Sequence, residues 1–146
     1  MKKVLTIAGS DSSGGAGIQT DLKTFAALGV YGMSAITAIT AQNTLGVKRV
    51  ERVSASMVKD QIRAIFEDIE VDAVKIGMLA EIDIIEAVRD CIDLYRPKFV
   101  VLDPVMVSTS GFDLLNSQAK KVLIEGLIPL VDLITPNLAE TACILN

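Results

Sequence analysis

Five short apolar runs in this chain end in residues that could hold a ligand: Gly9-Ser10-Asp11, Gln42-Asn43, Gly77-Met78, Asp103-Pro104 and Thr135-Pro136-Asn137. Asp103 follows four apolar residues, the setting of a carboxylate poised for a metal ion or a phosphate-linked water. Asn137 and Glu140 stand three apart, so they share a face if a helix forms there. The pair could hold magnesium-bound water, or could simply cap the helix and supply its acidic first turn. The Gln42 amide offers a donor and an acceptor side by side, matching the edge of an aminopyrimidine or pyridine ring. An exposed loop glutamine fits the same position. Met78 directly follows a strand-like run, where a thioether could lie against a flat ring or only fill core. Asp21 falls one turn into the first helix, a place the helix dipole favours for any carboxylate. Lys75 lies in an apolar strand and must emerge at an edge or pair with a carboxylate.

Several chemistries are excluded by the same residues. The segment AGSDSSGGAGIQ (8–19) links a strand to a helix, and Gly9 and Gly14 have Walker spacing. Gly15, however, stands where that motif needs its lysine. A dinucleotide fingerprint fails too, because Gly15-Ala16-Gly17 leads to Thr20 and not to a glycine. The chain has no histidine, which removes a Ser-His-Asp triad, a Cys-His dyad and the usual zinc sites. Cys91 and Cys143 are far apart, and Cys91 sits in a helical pattern, so it reads as a reduced, packed thiol. A net charge of −4 argues against a nucleic-acid partner. Residues 24–47 carry no charge but include Gln42, Asn43, four threonines and three glycines, which are costly in lipid. No membrane span is expected, and the protein reads as cytoplasmic.

The elements that position these residues follow from periodicity. With 51% hydrophobic and only 4% aromatic residues, the composition suits strands buried on both faces. Strands are predicted over 4–8, 34–41, 73–76, 99–102 and 131–134, with an extended excursion over 45–53. Helices are predicted over 14–28, with Gly29 as the stop, from Ser54 onward, over 82–95 and near 117–128. A last helix starts at Thr135-Pro136. Val58, Ile62, Ile65, Phe66 and Ile69 share one face, as do Ile82, Ile85, Val88, Ile92 and Tyr95. The alternation predicts an α/β fold with a parallel-type central sheet and helices on both faces.

The segments LTIAGSDSSGGAGIQTDLKTFAALGVYG (5–32), TAQNT (40–44), VKIGML (74–79), VVLDPVM (100–106) and LITPNLAE (133–140) carry a resemblance. The chain resembles the ribokinase-like superfamily, and within it the hydroxymethylpyrimidine and phosphomethylpyrimidine kinases of thiamine biosynthesis. The first block is long enough to be specific, and the blocks occur in family order across the whole chain. The resemblance implies transfer of the ATP γ-phosphoryl, with Mg2+, to the hydroxymethyl group of an aminopyrimidine and then to its monophosphate. It further implies that Gly9, Asp21, Gln42, Met78 and Val105 line the pyrimidine pocket. Asp103 matches an acidic position near the transferring phosphate, and Asn137 and Glu140 match an N-x-x-E element linked to magnesium and phosphate.

Members of that family are longer, and a G-T-G loop near their end carries the expected catalytic base. No G-T-G occurs in this sequence. The chain is therefore expected to be the N-terminal part of a single ribokinase-like domain, with the C-terminal half absent and the base beyond Asn146. Such a polypeptide should neither bind ATP tightly nor turn over alone, and should present an exposed apolar sheet edge or face. The resemblance also implies a homodimer at full length. A pyridoxal or pyridoxine kinase shares the glycine-rich block, although Gln42 with Met78 favours the pyrimidine. A non-catalytic ligand-binding remnant is the alternative from another class.

Overall fold

In the computed structural model, which describes residues 1–106 and 115–146, the chain forms one six-stranded sheet flanked by helices. β1 (Lys3–Asp11) is followed by α1 (Gly17–Ala27), β2 (Tyr31–Asn43), β3 (Gly46–Arg52), α2 (Ala55–Phe66) and β4 (Ala73–Ile76). Then come α3 (Ile82–Tyr95), β5 (Val100–Leu102), α4 (Ser117–Val122), β6 (Leu133–Ile134) and α5 (Leu138–Leu145). The strand order is β3-β2-β1-β4-β5-β6, with every pairing parallel except β2 with β3. The chain thus leaves β1 on one side to make β2 and returns on the other to make β4. The order reverses at β1, and the crevice beside the carboxyl ends of β1 and β4 is where such sheets hold ligands.

Alternation along β1 separates two environments. Leu5 and Ile7 join Val74, Ile76, Val100 and Leu102 in a core closed by Val58 and Ile62 of α2, by α3, and by Ala119 and Leu123. Thr6 points to the opposite face, where α1 packs and Asp21 meets its hydroxyl. Helices therefore lie on both faces of the parallel-type sheet, as expected. Ser54 caps α2 by accepting from the Met57 amide. Gly29, at φ 69°, ends α1 in the left-handed conformation that favours glycine. No helix among the described residues is long and apolar enough to cross a membrane.

The extended excursion expected over 45–53 is present as strand β3, which the turn after Asn43 folds back antiparallel on β2. Several other expectations need correction. The first helix starts at Gly17 and not at Gly14, since residues 13–16 wrap around Asp11. The helix near 117–128 is α-helical only to Val122. It widens into a π turn over Leu123–Leu127 and tightens to 3-10 geometry over Ile128–Leu130. Pro129 lacks the amide needed to carry an α-helical ladder further. The last strand is two residues, and Thr135-Pro136 precedes the final helix, whose cap is Asn137. In α3 the buried residues also include Ile84, Ala87 and Cys91, while Ile82 and Tyr95 pack only partly buried against the core. Large apolar side chains are exposed at Phe99 before β5, Leu133 in β6 and Leu138 in α5, by 54%, 56% and 91%, and also at Ile39 and Leu45 on the β2–β3 side.

Ile85 is fully buried at the centre of the α3 interface. Ile85→Ala should lower stability by about 2–5 kcal/mol through lost burial and an incompletely collapsed cavity. Urea denaturation should show a lower midpoint at an unchanged slope.

Candidate functional site

A cavity of about 360 Å³ opens at the carboxyl ends of the parallel strands. That volume suits a small heterocycle. Gly9, Asp21, Gln42, Met78, Val105, Asp103, Asn137 and Glu140 all line it, so the eight residues that the resemblance assigns to a site converge here, whereas Asn43, Pro104, Thr135 and Pro136 do not line it. They come from the carboxyl ends of β1, β2, β4 and β5, from α1 behind β1, and from the N-terminal turn of α5. Given the strand order, Gln42 stands on one side of β1 and β4, and Asn137 and Glu140 on the other.

The glycine-rich turn is organised from inside. The Asp11 carboxylate is 3% exposed and accepts hydrogen bonds from the amides of Ser13, Gly15 and Ala16 and from the Ser13 hydroxyl, at 2.8–3.0 Å. Its own carbonyl accepts from the Gly14 amide, and Gln19 accepts from its backbone amide while donating to Ser10. Burial acts to raise the Asp11 carboxyl, but the bonds from Ser13, Ala16 and Gly15 outweigh it and hold it below the usual carboxylate range. The loop amides that a Walker motif would turn to phosphate are thus spent on the loop's own aspartate. At Gly17, φ is 57° and an added Cβ would fall 2.3 Å from the Gly9 carbonyl oxygen, so only glycine lets α1 start this close to β1.

Behind the turn lies a small charged cluster. Thr6 and Lys75 are register partners on β1 and β4, so both reach the α1 face side by side. The Thr6 hydroxyl donates to Asp21 Oδ2 at 2.6 Å and Lys75 Nζ donates to the same oxygen at 3.0 Å. Lys75 also lies 4.0 Å from Asp103 Oδ2. Of the two outcomes open to a lysine in an apolar strand, Lys75 takes the pairing with carboxylates. Burial pushes the Asp103 carboxyl up; Lys75 opposes this, while the charges of Glu140 and Asp21 add to it.

The Thr40 hydroxyl reaches both Ser10 O and Gln42 Oε1, at 2.9 and 3.1 Å, and fixes the Gln42 amide at the rim. The Ser12 hydroxyl bridges the Gln42 backbone, tying β2 to the glycine-rich turn. Met78 lies so close to Gly9 that a Cβ there would sit 2.5 Å from the thioether methyl, so the glycine leaves space for it. Asn137 and Glu140 form a reciprocal capping box, each side chain accepting from the other's amide at 2.9 Å. The capping role is therefore real, and the same two residues also face the cavity. Glu140 Oε1 makes none of these bonds. Among the described residues no three His, Cys, Asp or Glu side chains cluster closely enough to hold a metal ion by themselves. Sequence reasoning grouped Asp11 with Gly9 and Ser10 as a strand end that could hold a ligand but did not find its role in the turn, and it left Thr6 and Thr40 unassigned. The one available signal was Asp11 followed by Ser-Ser-Gly-Gly, a composition that lets a carboxylate bond to its own turn.

Asp11→Asn should cost about 2–3 kcal/mol at neutral pH, because a charged acceptor of several bonds is replaced by a neutral one. The sign with pH follows from the lowered carboxyl. Its contribution is complete above the ordinary value of 3.8 and is lost as pH falls through the folded-state value. Urea midpoints should therefore differ most between the two proteins at about pH 7 and converge as the pH falls below 3.8.

A model of the phosphomethylpyrimidine kinase family matches residues 11–146. The hydroxymethylpyrimidine/phosphomethylpyrimidine kinase of Escherichia coli strain K12 is 53% identical over 148 residues, taking in 100% of this chain and 56% of that protein. The chain spans about half the length of the curated relatives it matches. A crystal structure of phosphomethylpyrimidine kinase from Clostridium difficile 630 superposes with a TM-score of 0.93 at 57% identity, covering 99% of this chain and 62% of the other. An ADP complex of Bacillus subtilis pyridoxal kinase superposes with a TM-score of 0.88 at 45% identity, covering 99% and 55%. These are ribokinase-like folds, in agreement with the sheet described above.

Proposed function

This chain belongs to the phosphomethylpyrimidine kinase family, and we propose that it carries the acceptor pocket of a kinase acting on 4-amino-5-hydroxymethyl-2-methylpyrimidine and its monophosphate in thiamine biosynthesis. One observation supports this above the others: Asp21, Gln42 and Met78 meet in one heterocycle-sized cavity with Asp103, Asn137 and Glu140 across the sheet from Gln42. The ring lies between Met78 and Val105, reading its polar edge against Gln42 and Asp21. Its hydroxymethyl group then faces Asp103, where charge develops during transfer. Phosphoryl transfer needs positioning and charge neutralisation more than covalent help, and these residues supply the acceptor's share.

ATP is the phosphoryl donor in this reading. The glycine-rich turn does not hold it, because its amides bind Asp11. Asp103 and Glu140 Oε1 are hard oxygen donors too few to enclose a metal, which fits a magnesium ion that keeps most of its waters. Such an ion supplies charge neutralisation at the phosphates. We place the catalytic base outside these 146 residues, as part of one domain to which this chain contributes the N-terminal portion.

The purified chain should bind the aminopyrimidine by calorimetry more tightly than pyridoxal, and Gln42→Ala should weaken that binding about tenfold, the worth of one or two hydrogen bonds. A coupled ADP-release assay of the full-length protein should show turnover with the aminopyrimidine and its monophosphate. Preferential turnover of pyridoxal would replace the substrate, and turnover of neither would overturn the kinase reading.

A further inference from the structure

Among the described residues lining the cavity, Lys75 is the one basic side chain, set against the carboxylates of Asp11, Asp21, Asp103 and Glu140. Asp11 is satisfied within its own turn, whereas Lys75 stands 3.0 Å from Asp21 and 4.0 Å from Asp103, with Glu140 lining the same cavity. Its position is dictated by the fold. The register of β1 and β4 places it beside Thr6, and the pair closes on Asp21 from beneath α1. Both donors take the same oxygen, Oδ2, and among the described residues no hydrogen bond reaches Oδ1. The carboxylate is therefore held from one side with its second oxygen left for a ligand. The side chains of Lys75 and Asp21 are 23% and 15% exposed, so their attraction is screened less than that of a surface pair. The space over Gly77 belongs to the ammonium, since a Cβ there would fall 3.0 Å from Nζ.

Building on the acceptor-pocket reading, we propose that Lys75 is a specificity-determining residue that sets the charge of the pocket. Its ammonium neutralises Asp21 and fixes it by Oδ2, so that Oδ1 accepts from the exocyclic amine of a neutral ring and a cationic ring is disfavoured. Without the ammonium, Asp21, Asp103 and Glu140 stand unopposed, and the same cavity becomes a site for cations. A purely structural lysine would behave differently, because losing its packing would weaken neutral and cationic ligands alike.

The test compares two probes by calorimetry, the neutral aminopyrimidine and its ring-N-methylated pyrimidinium. In Lys75→Met the neutral ring should bind more weakly and the cationic ring more tightly. The ratio should swing by about tenfold or more, as expected for removing a partly desolvated charge near the ring. Lys75→Arg should keep the original ratio even if its wider head weakens both ligands. An equal loss of both ligands in Lys75→Met overturns the proposal. If that variant does not fold, Lys75→Gln makes the same charge change under the same criterion. If the unsubstituted chain binds neither ring, the acceptor-pocket reading fails, and carboxyl 13C NMR then decides the role of Lys75. The Asp21 Cγ resonance should move in the Met or Gln variant and hold in the Arg variant; an unmoved resonance rejects the ion pair on which the role depends.

Discussion

The Asp11 carboxylate is the interaction on which the site depends. It acts as an internal anion for the turn between β1 and α1, collecting three amides and a hydroxyl within five residues of itself. A turn closed in this way leaves its amides facing inward. It cannot cradle a phosphate, however rich in glycine it is. What it can do is set the start of α1 at Gly17, hard against the Gly9 carbonyl, and so deliver Asp21 to the cavity one turn later. The tie from Ser12 to the Gln42 backbone extends the same order to β2.

A second constraint comes from the sheet. Order reverses at β1, so the carboxyl ends of β1, β2, β4 and β5 open on one crevice instead of being scattered along an edge. Parallel register then determines which side chains can meet. Thr6 and Lys75 are neighbours only because β4 lies against β1 with that alignment, and a slip of one residue would turn Lys75 into the apolar core. Its pairing with Asp21 and its approach to Asp103 let a charged residue sit in a central strand. The capping box of α5 shows how closely structural and site roles can coincide. Asn137 and Glu140 satisfy the first turn of the helix and face the cavity at once, so neither role excludes the other.

Much of the fold was legible in the amino-acid order. The 4-residue strand over 73–76 and the helix over 82–95 match their predicted limits, because apolar periodicity and the bounding polar residues are local signals. The errors fall where the deciding interaction is local but of another kind, or is not local at all. Residues 14–16 carry no helix-breaking residue except glycine, yet they leave the helix for Asp11. Pro129 signals the end of the α4 ladder but not the π turn that precedes it.

By itself the sequence determined the kinds of elements, the polar residues at their carboxyl ends, and the failure of the Walker pattern at Gly15. It also required that Lys75 either emerge at an edge or find a carboxylate, since an unpaired buried ammonium costs too much. It could not say which of the two, or which carboxylate. The partners of Lys75 lie 54 positions away at Asp21 and at the end of the neighbouring strand at Asp103, and only strand order and register bring them within reach. Tertiary structure alone decided that β3 pairs antiparallel and that eight separated residues share one cavity. Periodicity is written along the chain, whereas charge partners and cavities are set by what the sheet places side by side.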